Sequence, residues 1–575
     1  TLNVTLDNVN IDARNEKYET MGDAALSVEG EGNTTITLKG DNYLTSGGTH
    51  AALEHNEERT GTTGKLTITS EKDDAGKDTG KLTATSSKGS LSAGIGSSKG
   101  KGAGDIEITG GDITASGYSN AAGIGSGSQA TGNTNITISG TAKINAESNK
   151  GGGGAGIGSG YQSTGKTTIT IEGGTIEKAQ GGSGGAGIGS GDESKGTTTI
   201  TISDGTIENA TGGNTGDGIG SNSSSRPNST TVSTTVEIKG GTIIEAKGGK
   251  GFGSWNAGDG IHSDDALTIP DNATIVSAIG GDGDSSDSDS KAGRGIYSKG
   301  DLTISGGTIG SWNTDGTPDT DTGAFGGNTT AGAQGGDGIH SDGTINITSG
   351  EIVNAKGGNG KTTGGHGIYS KNKLTIDGST IGTAQGGDGE YGGKGILGEA
   401  TGEAAIEIRN STIEKAQGGN ATGSGNGGAG IYSGGGLTIS GSTIGKWKTD
   451  SKNNQIPDTD TGALGGNADA GAQGGHGIYS DGQLFITQNA AITNAKGGDS
   501  KTTGGYGIYS DNNLTMGAGS KIGTAQGGSG EYGGRGIYSY RGLTIEGNIG
   551  TAKGGDGKSG SGGYGISSEL TLTLK

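Results

Sequence analysis

The sequence predicts an all-β fold: a single elongated, right-handed parallel β-helix of about 18 coils, with three short strands in each coil. Three observations carry this. The signal Gly-Ile-[Gly/Tyr/His]-Ser returns fifteen times, with Ile at 95, 124, 157, 188, 219, 261, 296, 339, 368, 396, 431, 478, 508, 537 and 566; position 396 is a loose variant, and most spacings are about 28–35 residues. After each occurrence comes an apolar pair with one residue between its members, such as Ile169/Ile171, Leu302/Ile304, Leu374/Ile376 and Leu543/Ile545, the period of a strand with one buried face. Gly supplies 135 of 575 residues, and no stretch holds a 3.6-residue period long enough for a helix.

A third apolar position in a Gly-Thr-Ile-like context follows the pair, as at Ile176, Ile309 and Ile444, and completes three strands per repeat. One repeat cannot bury its few Ile and Leu side chains alone. Stacked repeats would place Ile on Ile and Leu on Leu, with each strand hydrogen-bonded to its equivalents in the neighbouring coils. Corners between such short strands need positive φ and close backbone approach, which explains the Gly content. The right hand follows from the rule for parallel crossovers, by analogy.

Residues 1–90 read as irregular N-terminal coils, in which the Ala-Ala-Leu segments ending at Leu26 and Leu53 are weaker versions of the repeat. Residues 91–300 read as coils with long corner loops, about 12 residues from the repeat Ile to the next apolar position. In 301–575 that distance is mostly about 6, and the segment contains a duplicated block: 302–396 reappears as 437–537, offset by 135 residues at the start, 139 after Asp450 and 141 at the end. Loops are therefore expected to leave different corners in the two halves.

With 26% hydrophobic residues and a net charge of −20, the composition alone would indicate disorder; the repeat overturns that reading. The charge argues against nucleic acid and anionic lipid as partners. No apolar run reaches the roughly 18–20 residues of a membrane span, so direct membrane insertion is not expected. The chain opens in alternating sequence at Thr1–Leu6, which places any export signal or anchor outside it. The absence of Cys removes disulfides, thiolate metal sites and Cys nucleophiles.

The coil pattern GG-x-GIYS-x-x-x-LTI-x-G-G-TI-x-x-AKGG resembles the pectin-lyase-like right-handed β-helices, and more narrowly the secreted bacterial repeat proteins of the surface adhesin, autotransporter-passenger and carbohydrate-binding type. The resemblance covers 90–575 well and 1–90 loosely. It implies a β-helix scaffold that hosts lyases, adhesins and plain spacers alike.

The candidate carbohydrate-binding residues are the aromatics of the slot after Gly-Ile: Tyr297, Tyr369, Tyr432, Tyr479, Tyr509 and Tyr538. If Ile points inward, the next side chain points out, and a file of rings spaced by single coils suits an extended polysaccharide; the structural alternative is an edge-protecting ladder. Trp255, Trp312 and Trp447 sit in long corner loops and join the candidates. The acidic corner Asp282, Asp284, Asp287 and Asp289 is the candidate Ca²⁺ site, with a solvated loop as the alternative, and no other cofactor is expected. His262 and His340 occupy the Tyr slot and read as members of a surface ladder. A lyase would need Arg beside clustered carboxylates; among Arg226, Arg294, Arg409, Arg535 and Arg541, only Arg409 has one near, Glu407, which reads as an outward ion pair. Gly160–Thr167 fits the phosphate-loop expression, but the strand-like Thr-Ile-Thr-Ile follows it where a helix is required.

The function expected from these features is a non-catalytic adhesin or stalk at a bacterial cell surface or in the extracellular matrix, secreted and binding glycans or other cell-surface components. The alternatives are a fibre subunit that self-associates head to tail through its strand edges, and a polysaccharide lyase or hydrolase.

Overall fold

The computed structural model describes residues 1–15, 21–57, 64–149, 151–221, 233–402 and 404–575. It is an all-β, right-handed parallel β-solenoid of about 17 turns, and no helix occurs among the described residues. The chain divides into two units, Thr1–Leu267 with Asn272–Gly281, and Thr268–Asp271 with Asp282–Lys575. Eight strands of the Gly-Ile type fall in the first and nine in the second. The expected 18 coils counted the opening strand Leu2–Asp7 as a turn of its own; it is the first strand of the turn that Leu26–Val28 completes.

In the first unit, stacking is residue for residue along most strands, with register shifts after Ile144 and Ile171. Ile124 pairs with Ile95 and Ile157, and Ile113 with Leu82 and Ile144, all parallel. Ile95, Ile113, Ile124, Ile144 and Ile157 have no exposed surface, so the core is a set of like-on-like ladders. The Gly after the repeat Ile is conformationally required here: Gly125, Gly158 and Gly189 have φ of 132°, 138° and 139°. Thr167–Gln180 is one continuous strand, which disposes of the phosphate-loop match at 160–167.

The second unit replaces that Gly mostly by Tyr or His, with Leu397 and Ser567 as exceptions, and the strand lengthens from two residues to three, as in Ile478–Ser480. The Ser that follows is fully buried and staples successive turns. Ser480 Oγ donates to Gly435 O at 2.9 Å, Ser510 Oγ to Gly482 O at 2.9 Å, and Ser539 Oγ to Asn512 O at 2.7 Å. On another corner the residue after Gly-Gly is Asn or Asp, and its side chain accepts the backbone N–H of its equivalent one turn on. Asn359 N donates to Asn328 Oδ1 (2.8 Å), Asp388 N to Asn359 Oδ1 (2.8 Å), and Asn420 N to Asp388 Oδ1 (2.6 Å). Both devices satisfy polar groups that short strands leave over at corners.

The duplicated block carries a docked hairpin in each copy. Trp312 bridges Pro318, and Trp447–Thr449 pairs antiparallel with Gln455–Pro457. Asn354 Nδ2, almost fully buried, donates to Asp319 O (2.6 Å) and Thr322 O (2.8 Å); Asn494 holds Thr459 O (3.2 Å) and Thr461 O (3.1 Å) in the same way. Asn354→Ala is expected to lose about 2 kcal/mol of local stability, through two lost hydrogen bonds and two stranded carbonyls. A red shift in tryptophan emission at denaturant concentrations that leave the native chain unchanged would register the release of the Trp312 hairpin; unchanged emission contradicts the clamp.

Candidate functional site

Register places the aromatic slot in one file in the second unit: Tyr297, His340, Tyr369, Leu397, Tyr432, Tyr479, Tyr509, Tyr538 and Ser567. The rings are in contact, with centroids 4.8 Å apart for Tyr432–Tyr479, 5.0 Å for Tyr479–Tyr509 and 5.1 Å for Tyr509–Tyr538. The file is not the open row of faces expected. Tyr297 and Tyr538 are only 7% and 6% exposed, and the other four Tyr are half-buried.

Two neighbouring files cover the rings. The phenol groups donate to carboxylates three residues past the repeat Ile: Tyr297 to Asp342 (2.7 Å), Tyr369 to Glu399 (2.6 Å), Tyr432 to Asp481 (3.0 Å), Tyr479 to Asp481 (2.5 Å) and Asp511 (2.8 Å), and Tyr509 to Asp511. Burial and these anions raise the Tyr432, Tyr479 and Tyr509 phenols well above their ordinary range, so they act as fixed donors. The second cover is the residue two before the repeat Ile. Arg294 lies 4.0 Å over Tyr297, His366 stacks on Tyr369 at 5.6 Å, His476 on Tyr479 at 5.2 Å, Tyr506 packs edge-on to Tyr509 at 5.1 Å, and Arg535 lies 4.0 Å over Tyr538.

One turn breaks the rule. The covering position of the Tyr432 turn is Ala429, and the position three past its repeat Ile is Gly434, so its own turn supplies neither cover; of the two covering files only Asp481 and Lys394, from the turns on either side, reach it. A groove of about 470 Å³ opens there, lined by Tyr391, Lys394, Tyr432, Gln473, His476 and Tyr479 among others. Its walls are set by the turns on either side. Lys394 Nζ stands 5.7 Å from the Tyr432 centroid, and Tyr391 is half exposed at the rim. His476 Nδ1 accepts the backbone N–H of Tyr506 at 2.9 Å, which leaves the imidazole proton on Nε2. An aromatic face with hydrogen-bond donors around it can hold a sugar ring by stacking and orient its hydroxyls.

His366 is buried and His476 largely so, and this desolvation lowers each imidazole to about 4. Through these two side chains the fold keeps its full stability above the unfolded value near 6.5 and loses it as pH falls toward about 4, because the unfolded chain binds the protons first. Both imidazoles are therefore expected to remain neutral at pH 5 in an NMR titration; protonation near pH 6.5 contradicts the packing described.

The tryptophans do not join this groove. Trp312 Nε1 donates to Glu351 at 2.6 Å, and its ring lies where a Cβ on Gly382 would come within 2.9 Å; Trp447 covers Gly523 at the same distance. Trp255 packs against Phe252, centroids 6.1 Å apart, in the first unit. Of the acidic corner, Asp282 heads the Asn/Asp ladder by accepting Asn328 N at 2.9 Å, Asp284 accepts Ser286 N at 2.8 Å, and Asp287 accepts Asp289 N at 2.9 Å. The carboxylates of Asp282, Asp284 and Asp287 thus each accept a backbone N–H, and none of them belongs to a group of three or more ligand atoms within 4.8 Å among the described residues.

A cluster the sequence did not single out lies in the first unit. Among the described residues, Asp217, Asp259 and His262 are the one His/carboxylate group whose ligand atoms lie within 4.8 Å of one another. His262 is 1% exposed and is not the surface ladder member expected. Burial alone would lower its imidazole, but Asp217 at 3.0 Å, with Asp264 and Asp259, raises it to about 10; burial in turn raises Asp217 to about 6. With Asp217 and Asp264 beside it, the imidazolium is charge-compensated in the core. The pattern Gly-Asp-Gly-Ile at 216–219 and 258–261 is the cluster's trace in the sequence. Arg409 pairs with Glu407 at 2.7 Å, which Lys373 also reaches at 2.8 Å, and Arg226 lies outside the described residues. No family model, no curated protein and no solved structure matches the chain.

Proposed function

We propose that the protein is a non-catalytic, extracellular glycan-binding β-solenoid of the bacterial adhesin or stalk type, and that Tyr432 is its stacking platform. The observation that carries this reading is the groove at Tyr432, the tyrosine of the file whose own turn has only Ala429 two residues before the repeat Ile, where the other tyrosines have Arg, His or Tyr. The ladder geometry fits a non-catalytic role. The phenols are locked as donors to Asp342, Glu399, Asp481 and Asp511, and Arg409 spends its charge on Glu407. A rigid aromatic face and fixed donors suit binding more than proton transfer. The acidic surface and the absence of Cys agree with life outside a cell.

The test is a polysaccharide and host-glycan panel, probed with the intact chain and with Tyr432→Ala, with product analysis of every bound polymer. Saturable binding that Tyr432→Ala removes, without cleavage, supports the proposal. Shortened polymer chains would move the protein to the lyases or hydrolases, and binding that survives Tyr432→Ala would place the site elsewhere.

A further inference from the structure

Resting on the reading of Tyr432 as a stacking platform, we infer that its groove selects a pyranose ring carrying one anionic substituent, a carboxylate or a sulfate ester, and that Lys394 is the residue that selects it. Lys394 occupies the covering position of the preceding turn, but the residue beneath it in the aromatic slot is Leu397, so its ammonium is not spent on a ring of its own turn. It reaches instead over Tyr432 at 5.7 Å, near the outer limit of a cation–π contact. Other cations of this unit are engaged: Arg535 with Tyr538 and Glu569 (3.3 Å), Lys373 and Arg409 with Glu407, and Lys446 with Glu414 (2.8 Å). No described carboxylate lies within ion-pair distance of Lys394, and the nearest acidic side chains are occupied. Glu399 accepts the Tyr369 phenol, and Asp481 accepts those of Tyr432 and Tyr479. Burial lowers the Lys394 ammonium from its ordinary value, and the charge of Glu399, beyond ion-pair distance, offsets this only in part.

The other groove-facing donors agree in sign. His476 presents Nε2–H, since its Nδ1 is taken by Tyr506 N, and the Gln473 amide lines the same wall. A ring stacked on Tyr432 would carry its charged substituent toward the ammonium and its hydroxyls toward these groups. One charge is favoured over many. Asp481 and Asp511 lie along the file, and the chain's net charge of −20 repels a densely charged polymer beyond the reach of one lysine.

The experiment titrates the full chain, by saturation-transfer NMR, with matched methyl glycosides of the gluco and galacto series: neutral, carboxylated at C6, and sulfated at O6. The anionic members are expected to bind about tenfold more tightly than their neutral counterparts at low salt. Lys394→Gln should bring the ratio of anionic to neutral affinity to about one, whatever it does to binding as a whole, and Lys394→Arg should restore the ratio. A preference for carboxylate alone or sulfate alone identifies the source of the anion and supports the inference. Equal affinity for neutral and anionic rings, or a preference that persists in Lys394→Gln, overturns it while neutral binding lost in Tyr432→Ala keeps the platform. Failure of every glycoside to bind overturns the platform and the lysine's role together.

Discussion

Gly158→Ala is expected to lower the stability of the first unit by about 4 kcal/mol, the sum of a disfavoured backbone and an overfilled corner. Gly158 holds φ at 138°, where an L side chain is strained, and an added Cβ would run into the carbonyl oxygen of Gly189, with its carbon at 2.9 Å and Ile169 Cδ1 at 3.2 Å. Relief is blocked on both sides. Gly158 is in register with Gly125 and Gly189, which have the same conformation, so a shift in one turn would be passed to its neighbours. The control is Gly32→Ala, where a Cβ meets nothing within 4 Å and φ is ordinary. In urea melts Gly158→Ala should shift the first-unit midpoint strongly and Gly32→Ala hardly at all. Equal midpoints would show that the corners relax independently, against the ladder described here.

The second large effect concerns binding. Ala429→His should abolish it, by more than about tenfold, because it supplies the cover that His366 and His476 give to Tyr369 and Tyr479. Ala429 is itself buried, so the imidazole also needs its neighbours to give way, at a cost of about 1–3 kcal/mol that a urea midpoint measures beside the binding. A folded variant that has lost binding separates an occluded site from a broken scaffold. A variant that binds as the native chain does would mean that ligands do not use this face.

Much of the solenoid is written in the chain because its strands obey period two and its turns repeat. Ile124 over Ile157 and Leu302 over Ile345 follow from the pattern alone. The Tyr file was legible for the same reason. What covers it was not, because Arg294, Asp337, His366, Lys394, Ala429, His476 and Tyr506 share a position but no chemistry, and only the stacking of turns makes them one file. The constant glycines around that position were the available signal, and Ala429 its smallest member. The places of Trp312 and Trp447 were not legible, because their hairpins fold back across turns to Gly382 and Gly523, a distance no local pattern encodes. Asp282 looked like a cation ligand beside Asp284, Asp287 and Asp289. Its place after Gly-Gly, shared with Asn328, Asn359 and Asp388, marks it instead as a rung of the Asn/Asp ladder.

The measurement that reaches the proposed site most directly is a crystal structure of the intact chain with a bound oligosaccharide from the panel. A sugar ring lying flat on Tyr432, between Lys394 and His476, is the predicted result. A ring bound elsewhere, with the Tyr432 face left empty, would contradict the assignment of this groove as the binding site.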